Sequence, residues 1–205
     1  MEYGELVRAR HSVKTYAPGV NISDETLRTI FEDVVLSPSS FNLQHWRFVV
    51  VRDQAMKLRL KDAANGQNQV ADASAVVVIC GKLDAYDDAE AIHAAAAPEF
   101  REGLVSKIRG FYRGNPRLQR DEAIRSGSLA AMSLMYAAKH HGYDTGPMIG
   151  FSPDEAAALL DIPDNLLPVM MVVMGKCHGP QPERRGRLPV SDVVRLESMD
   201  GAELA

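Results

Sequence analysis

The chain lacks the features that mark disulfide-rich, membrane and nucleic-acid-binding proteins. Its 205 residues include two cysteines, Cys80 and Cys177, which form no C-x-x-C pair, so neither a disulfide framework nor a zinc or other metal site is expected. Its longest apolar runs, around 75–80 and 166–174, are too short to cross a bilayer. The 23 basic and 27 acidic residues give a net charge of -4, which argues against a nucleic-acid surface.

Common nucleotide and export motifs are missing as well. The sequence contains neither G-x-x-x-x-G-K-[ST] nor G-x-G-x-x-G, which excludes a P-loop and the Rossmann fingerprint. The acidic N-terminus is unlike a signal peptide. With 46% apolar and 24% charged residues, the composition is that of a globular protein. We therefore expect one soluble, cytoplasmic domain over residues 1–205.

Apolar periodicity predicts helices and strands in irregular order. A helix capped by Ser23 is expected to end near Ser37, because Pro38 disfavours helical geometry before it. Further helices are predicted over 54–63, 99–112 and 126–141, and from Ser152 to a point before Pro163. Apolar runs at 48–51, 75–80 and 168–174 predict three buried strands. This pattern indicates an α+β protein, or a three-layer α/β/α arrangement around a small sheet.

The helix predicted over 126–141 is apolar almost all the way round. A helix of this kind is buried on several sides. In a chain of this size, that suggests burial against a second subunit.

Three segments carry candidate ligand chemistry. In the first, alternation places Arg10, Ser12 and Lys14 on one side of an extended stretch, where they can clamp a phosphate. A solvated basic turn is the alternative. The second, 37–46, offers hydroxyls and amides for a polar heterocycle, or is plain turn chemistry. The third is Arg185-x-Arg187, which either joins the first segment around one anion or only makes the tail soluble.

Together with Gln67–Ser74, Gly146–Gly150 and Arg185–Pro189, these segments resemble the FMN-dependent nitroreductase family over nearly the whole chain. Segment 10–14 resembles the family's R-[RH]-S-x-[RK] element, and 37–46 its S-P-S-x-x-N-x-Q-P-W loop. The resemblance implies a small, mainly antiparallel sheet flanked by helices, and a homodimer with exchanged C-terminal tails and FMN at the interface. It also implies ping-pong, two-electron reduction of nitroaromatics, quinones or similar flat acceptors by NADH or NADPH.

Carried over residue by residue, the resemblance implies FMN contacts at Arg10, His11, Ser12, Lys14, Pro38, Ser39, Ser40, Asn42, Gln69, Pro147, Met148, Ile149, Gly150, Arg185 and Arg187. Arg10, Ser12 and Arg187 would hold the phosphate, with His11 and Arg185 beside it. Lys14 would act electrostatically at the pyrimidine edge. The loop 38–42 would come from the other subunit. A backbone amide near Ile149 or Gly150 would donate to the flavin N5. No catalytic acid–base pair is implied, because the cofactor carries the chemistry.

Three positions depart from the family pattern. His45 stands in place of proline, and Ile149 in place of the glutamate of one branch. Gln69 stands where that branch has lysine, so a single cation near the reduced flavin predicts a lower redox potential.

One region, 84–125, carries no family motif. The variable segment 84–125 is expected to be helical and to cover the pocket, with Phe111 and Tyr112 as weak candidate substrate contacts. Residues 179–205 are expected to form an extended tail.

The same resemblance admits reductive dehalogenation, flavin fragmentation or flavin binding without turnover. A non-flavin anion-binding module is the remaining alternative.

Overall fold

The computed structural model describes residues 1–181 and 183–204. The predicted tail over 179–205 is therefore described without positions 182 and 205. The described α-helices are α1 Tyr3–Ala9, α2 Asp24–Val34, α3 Gln54–Ala63, α4 Asn68–Asp72, α5 Ala89–Ile92, α6 Pro98–Tyr112, α7 Pro116–His140, α8 Pro153–Leu159 and α9 Val190–Val193. The strands are β1 Trp46–Val51, β2 Ala75–Lys82, β3 Asp144–Met148 and β4 Leu166–Gly175. Short 3-10 helices cover Ser40–Asn42 and Ala85–Asp88.

One antiparallel sheet in the order β1-β2-β4-β3 forms the middle layer. Side chains alternate along a strand, so β2 turns Val77 to one face and Val78 to the other. The first face packs against α2 and α7, and the second against α3, α4 and α8. The predicted three-layer α/β/α arrangement is confirmed.

The two edges of this sheet have different neighbours. Strand β1 pairs with β2 alone among the described residues. Strand β3 pairs with β4 on one side, and Ser12 forms a parallel bridge to Thr145 on the other. The N-terminal segment therefore lies along β3.

Local sequence signals account for the best-predicted helices. The Ser23 hydroxyl accepts a hydrogen bond from the Thr26 amide at 3.1 Å, which satisfies one free donor at the start of α2. The Asp53 carboxylate accepts a hydrogen bond from the Met56 amide at 2.8 Å in the same way, and α3 has the predicted bounds.

None of the described helices combines the length and apolar character that a bilayer crossing requires.

The long helix α7 begins at Pro116 rather than at the predicted Ser126. Its first turns contain mostly polar residues, so their periodicity is weak, but Asn115 caps them by accepting from the Leu118 amide at 3.1 Å. The helix runs so close to β2 that a Cβ at Gly81 would lie 2.4 Å from the Ala123 carbonyl oxygen. Only glycine permits this approach.

The region from 85 to 112 forms a small core of its own beside the main layers. Buried residues Ala85, Val105, Ile108 and Tyr112 pack together with Leu43. Since Leu43 directly follows the 3-10 turn at 40–42, this core supports the polar loop from the outside.

Candidate functional site

The N-terminal segment is fixed against the edge of β3. The Val13 amide donates to the Thr145 carbonyl oxygen at 3.0 Å, and a Cβ at Gly146 would lie 2.8 Å from the Val13 carbonyl oxygen. Val13 is completely buried, whereas Ser12 and Lys14 are exposed. This alternation turns Ser12 and Lys14 outward, as the sequence predicted.

The C-terminal tail returns to the same place. The Arg184 guanidinium donates to the carbonyl oxygens of Val7 at 3.3 Å, of Arg8 at 3.0 Å, and of Arg10. These groups lie at the C-terminal end of α1, where a cation is favoured. The Lys14 amide donates to the Gln181 side-chain oxygen at 3.0 Å. Segments far apart in the chain are thereby joined.

A cavity of about 410 Å³ opens where these segments meet. It is lined by Arg10, His11, Ser12, Lys14, Pro147, Glu183, Arg184, Arg185 and Arg187. Seven of these nine positions were predicted as site residues. The lining combines five cationic side chains with one carboxylate, so its net charge is positive.

Burial and the other positive charges of the cavity affect the pKa of Arg10. Burial lowers the pKa of Arg10, and the positive charges of Arg184 and Arg187 lower it further. Like charges in one cavity repel each other until an anion neutralises them. The cavity is therefore suited to a phosphate or another polyanionic group.

A second group of predicted residues lies beyond the end of β3. The carbonyl oxygen of Gly150 accepts from the side chains of Asn65 and Gln67, each at 3.0 Å. Gln69 donates to the Gln67 side-chain oxygen at 3.2 Å, and its own Oε1 is buried without a described partner. Ile149 is 77% exposed, and Met148 is buried. The backbone at 149–150 is therefore both exposed and held in place.

The polar loop at 38–42 is not part of the cavity lining in this chain. The Tyr112 hydroxyl donates to the Ser40 hydroxyl oxygen at 2.7 Å, and the Ser39 hydroxyl accepts from the Gln44 amide at 2.8 Å. The sequence assigned Pro38, Ser39, Ser40 and Asn42 to the cavity of a second subunit, and that assignment stays a prediction.

The two aromatic candidates of the segment 84–125 differ in exposure. Phe111 is 52% exposed, and its ring centroid lies 6.0 Å from that of Phe41 in the polar loop. Tyr112 is 1% exposed, and its hydroxyl is bonded to Ser40. Phe111 is therefore the one of the two that this chain leaves accessible to a small molecule.

Some residues of the site carried no assigned role in the sequence prediction. Arg184 stood in the noted basic cluster, but only the fold shows that it binds the end of α1. Gln67 lay in a matched segment without a role. Among residues 1–181 and 183–204, no three His, Cys, Asp or Glu side chains cluster closely enough to hold a metal ion.

The chain is similar to known proteins along most of its length. The model of the nitroreductase family matches residues 7–176. A Bacillus subtilis protein provisionally named NAD(P)H nitroreductase MhqN is 39% identical over 201 residues, covering 94% of this chain and 98% of its own length.

Solved structures share the fold. A provisionally assigned NAD(P)H:FMN oxidoreductase from Staphylococcus epidermidis superposes with a TM-score of 0.90, at 30% identity, covering 95% of each chain. A provisionally assigned nitroreductase from Exiguobacterium sibiricum, solved in complex with FMN, gives 0.89 at 32% identity and covers 96% of this chain and 98% of that one. The chain described here belongs to the nitroreductase family.

Proposed function

We propose that this chain is an FMN-dependent oxidoreductase that uses NADH or NADPH to reduce nitroaromatics, quinones or similar flat acceptors in a ping-pong cycle. The observation that carries the proposal is the cationic cavity, which Pro147 of β3 also lines. Bound FMN supplies the hydride chemistry. The names of the MhqN relative and of the two structural neighbours support the same donor and cofactor.

The residues present fit the phosphate end of such a cofactor. Arg10, Arg185 and Arg187 offer guanidinium donors, and the exposed Ser12 hydroxyl adds a neutral one. Charge-assisted bonds of this kind are about twice as strong as neutral ones. The repulsion at Arg10 is relieved when a phosphate enters. His11 lines the same cavity and completes this end.

The opposite end fits a polar ring system. Lys14 and Pro147 line the same cavity, and the Lys14 ammonium stabilises negative charge at a pyrimidine edge. The amides near Ile149 and Gly150 act as the donors to N5, held in place because Asn65 and Gln67 bind the Gly150 carbonyl oxygen. Gln69 has a buried oxygen without a described partner on the same side.

A second copy of the chain completes the site. Leu36 is 80% exposed and Leu129 43% exposed, and the Ser37 hydroxyl donates to that of Ser133 at 2.8 Å, which joins the end of α2 to α7. This apolar surface adjoins Pro38 and the polar loop. Docking a second copy here buries the surface and carries the loop to the partner's cavity.

The tail supplies further contact in the dimer. Its large apolar side chains are exposed, at Leu188, Val190, Val193, Leu196, Met199 and Leu204. Exposed apolar residues in such density mark an interaction surface. Residues 184–187 remain with their own cavity, whereas the portion after Leu188 wraps the partner.

The acceptor binds beside the polar loop. Phe41 and the exposed Phe111 form an edge-to-face pair there, and flat aromatic or quinone rings pack well against such side chains. Segment 84–125, which contains Phe111, thereby covers the pocket that the polar loop reaches. Tyr112 supports this wall through Ser40.

One experiment tests the proposal directly. An absorbance spectrum of the purified protein is followed anaerobically through addition of NADH, then NADPH, and then a quinone. Flavin bands that bleach with either donor and recover with the quinone are the expected result. A colourless protein that takes up no added FMN contradicts the proposal at its base, and bound flavin that refuses both donors contradicts the reaction.

A further inference from the structure

A chain of buried polar groups connects α7 to the polar loop, and neither the cavity nor the proposed reaction accounts for it. Glu122 is 4% exposed and Ser126 is completely buried. The Ser126 hydroxyl donates to Glu122 Oε1 at 2.7 Å, and the Ser40 amide donates to the same oxygen at 3.4 Å. The Arg125 guanidinium donates to the other carboxylate oxygen.

His45 extends this chain at its other end. Its Nδ1 lies 3.4 Å from the Ser126 hydroxyl oxygen, and the imidazole is 2% exposed. Because the Ser126 proton is given to Glu122, Nδ1 carries a proton and donates. Burial lowers the pKa of His45, so the ring is neutral at pH 7 and takes this tautomer. The order of donation is therefore His45 to Ser126 to Glu122.

The loop that receives these bonds has an unfavourable backbone. Phe41, Asn42 and Gln44 have φ values of 51°, 53° and 51°, in the left-handed region that non-glycine residues rarely adopt. Such a conformation is unfavourable and persists only where neighbouring contacts impose it.

Contacts from two helices hold the start of this loop at Ser40, and His93 Nε2 lies 3.0 Å from the Phe41 carbonyl oxygen. Glu122 of α7 accepts the Ser40 amide, and Tyr112 of α6 donates its hydroxyl to the Ser40 side chain at 2.7 Å. Because the Ser40 oxygen accepts from Tyr112, its own proton is free for a further acceptor, and no described protein group takes it. Ser40 is thus prepared to donate outward.

We propose that Glu122 is a positioning residue, which holds the strained loop so that Ser40 and Asn42 present their side chains to a flavin in the partner's cavity. The inference rests on the proposed function, because it takes the loop to be a cofactor contact. Tyr112 assists through its bond to the Ser40 hydroxyl. Neither residue touches the cofactor in this proposal.

A purely structural role for Glu122 makes a different prediction. If the carboxylate only stabilised α7 through Arg125, its removal would lower global stability and leave the loop no more mobile than the core. If it positions the loop, exchange rises locally, and a side chain that restores the acceptor oxygen rescues it.

The test compares Glu122→Ala, Glu122→Gln and the control Asp121→Ala by hydrogen–deuterium exchange of the apoprotein and by FMN titration. Asp121 is the adjacent acid on α7, exposed and paired with Arg117 at 3.9 Å. In Glu122→Ala we expect amides 40–44 to exchange about tenfold faster than in the unaltered chain and the Kd for FMN to rise about tenfold, roughly 1.4 kcal/mol. Glu122→Gln restores most of both, and Asp121→Ala changes neither.

Glu122→Met keeps the length of the side chain and removes both acceptor oxygens, so it decides the matter should Glu122→Ala fail to fold. Faster exchange at 40–44, with unchanged exchange in α3, supports the inference. Unaltered loop exchange in this variant, or in a folded Glu122→Ala, overturns it. Loop exchange is measured without flavin, so failure of the unaltered chain to bind FMN counts against the proposed function alone.

Discussion

At the scale of single residues, the phosphate end of the cavity is defined by charge. Arg187→Ala removes one guanidinium from it and leaves Arg184 bound to the end of α1. We expect the Kd for FMN to rise about tenfold, since a charge-assisted bond contributes more than a neutral one. The Kd for riboflavin, which has no phosphate, should stay the same.

Fluorescence titration of both flavins measures this difference. Arg195→Ala is the matched control, because Arg195 is an arginine of the same tail paired with Glu203 at 3.6 Å, outside the cavity. Equal losses for FMN and riboflavin in Arg187→Ala would contradict a phosphate contact.

The residue at position 69 determines the charge beside the flavin ring system in the proposed site. Gln69 is 3% exposed, and its Oε1 has no described partner. Gln69→Lys should raise the midpoint potential of the bound flavin, because a cation stabilises the anionic reduced form, and Gln69→Glu should lower it. A redox titration of the three proteins checks the order. Potentials that do not follow charge would remove Gln69 from the flavin's surroundings.

Acid stability depends on His45. Burial lowers its pKa, Glu122 opposes this and Arg47 adds to it, so the unfolded chain binds this proton more readily than the folded one. The free energy of unfolding therefore loses this contribution as pH falls below the unfolded value of about 6.5. His45→Asn keeps a donor but does not titrate.

Thermal melts from pH 7.5 down to pH 5.5 test this dependence. Between these approximate limits, which bracket the histidine range, we expect Tm to fall more in the unaltered protein than in His45→Asn. Parallel pH profiles for the two proteins would show that His45 contributes nothing to acid sensitivity.

At the scale of elements, the contact between β2 and α7 tolerates no side chain at position 81. Gly81→Ala places a methyl group 2.4 Å from the Ala123 carbonyl oxygen. Overpacking of this kind costs about 1–3 kcal/mol, which urea unfolding resolves. Gly103→Ala in α6 meets nothing within 4 Å and should instead stabilise the chain, by about 0.5–1 kcal/mol. A stable Gly81→Ala would mean that α7 moves freely against the sheet.

Elements with strong local signals were predictable, and others were not. Helix α3 follows from its cap and its apolar spacing. Strand β3 was not predicted, because Asp144–Met148 contains glycine and proline, and its pairing with β4 is what makes it a strand. The start of α7 was placed too late, because residues 116–125, although expected to be helical within segment 84–125, are mostly polar and show no periodicity that joins them to the rest of the helix.

Some features of the candidate site were likewise predictable from the sequence, and others were not. Alternation in segment 10–14 placed Ser12 and Lys14 correctly on the outward side. The left-handed backbone of Phe41, Asn42 and Gln44 could not be foreseen, since the loop is held by side chains distant in the sequence. Such contacts join residues far apart in the chain and leave no periodic trace.

At the scale of the whole molecule, association should depend on the apolar surface at Leu36 and Leu129. Leu36→Glu places a charge on it and should shift the protein to a monomer in sedimentation velocity. FMN affinity should fall in parallel, because the polar loop of one copy then no longer reaches the other's cavity. Leu58→Glu is the control, since Leu58 is 48% exposed on α3, in the opposite layer. A monomer with undiminished FMN affinity would contradict the shared site.

The two edges of the sheet differ in how readily a separated subunit can aggregate through them. Strand β3 is covered by the N-terminal segment, whereas β1, with Phe48 and three successive valines, pairs with β2 alone in the described part of the chain. An open, apolar strand edge is a template for pairing with foreign strands and for fibrous aggregation. Aggregation of a separated subunit should therefore begin at β1 and not at β3.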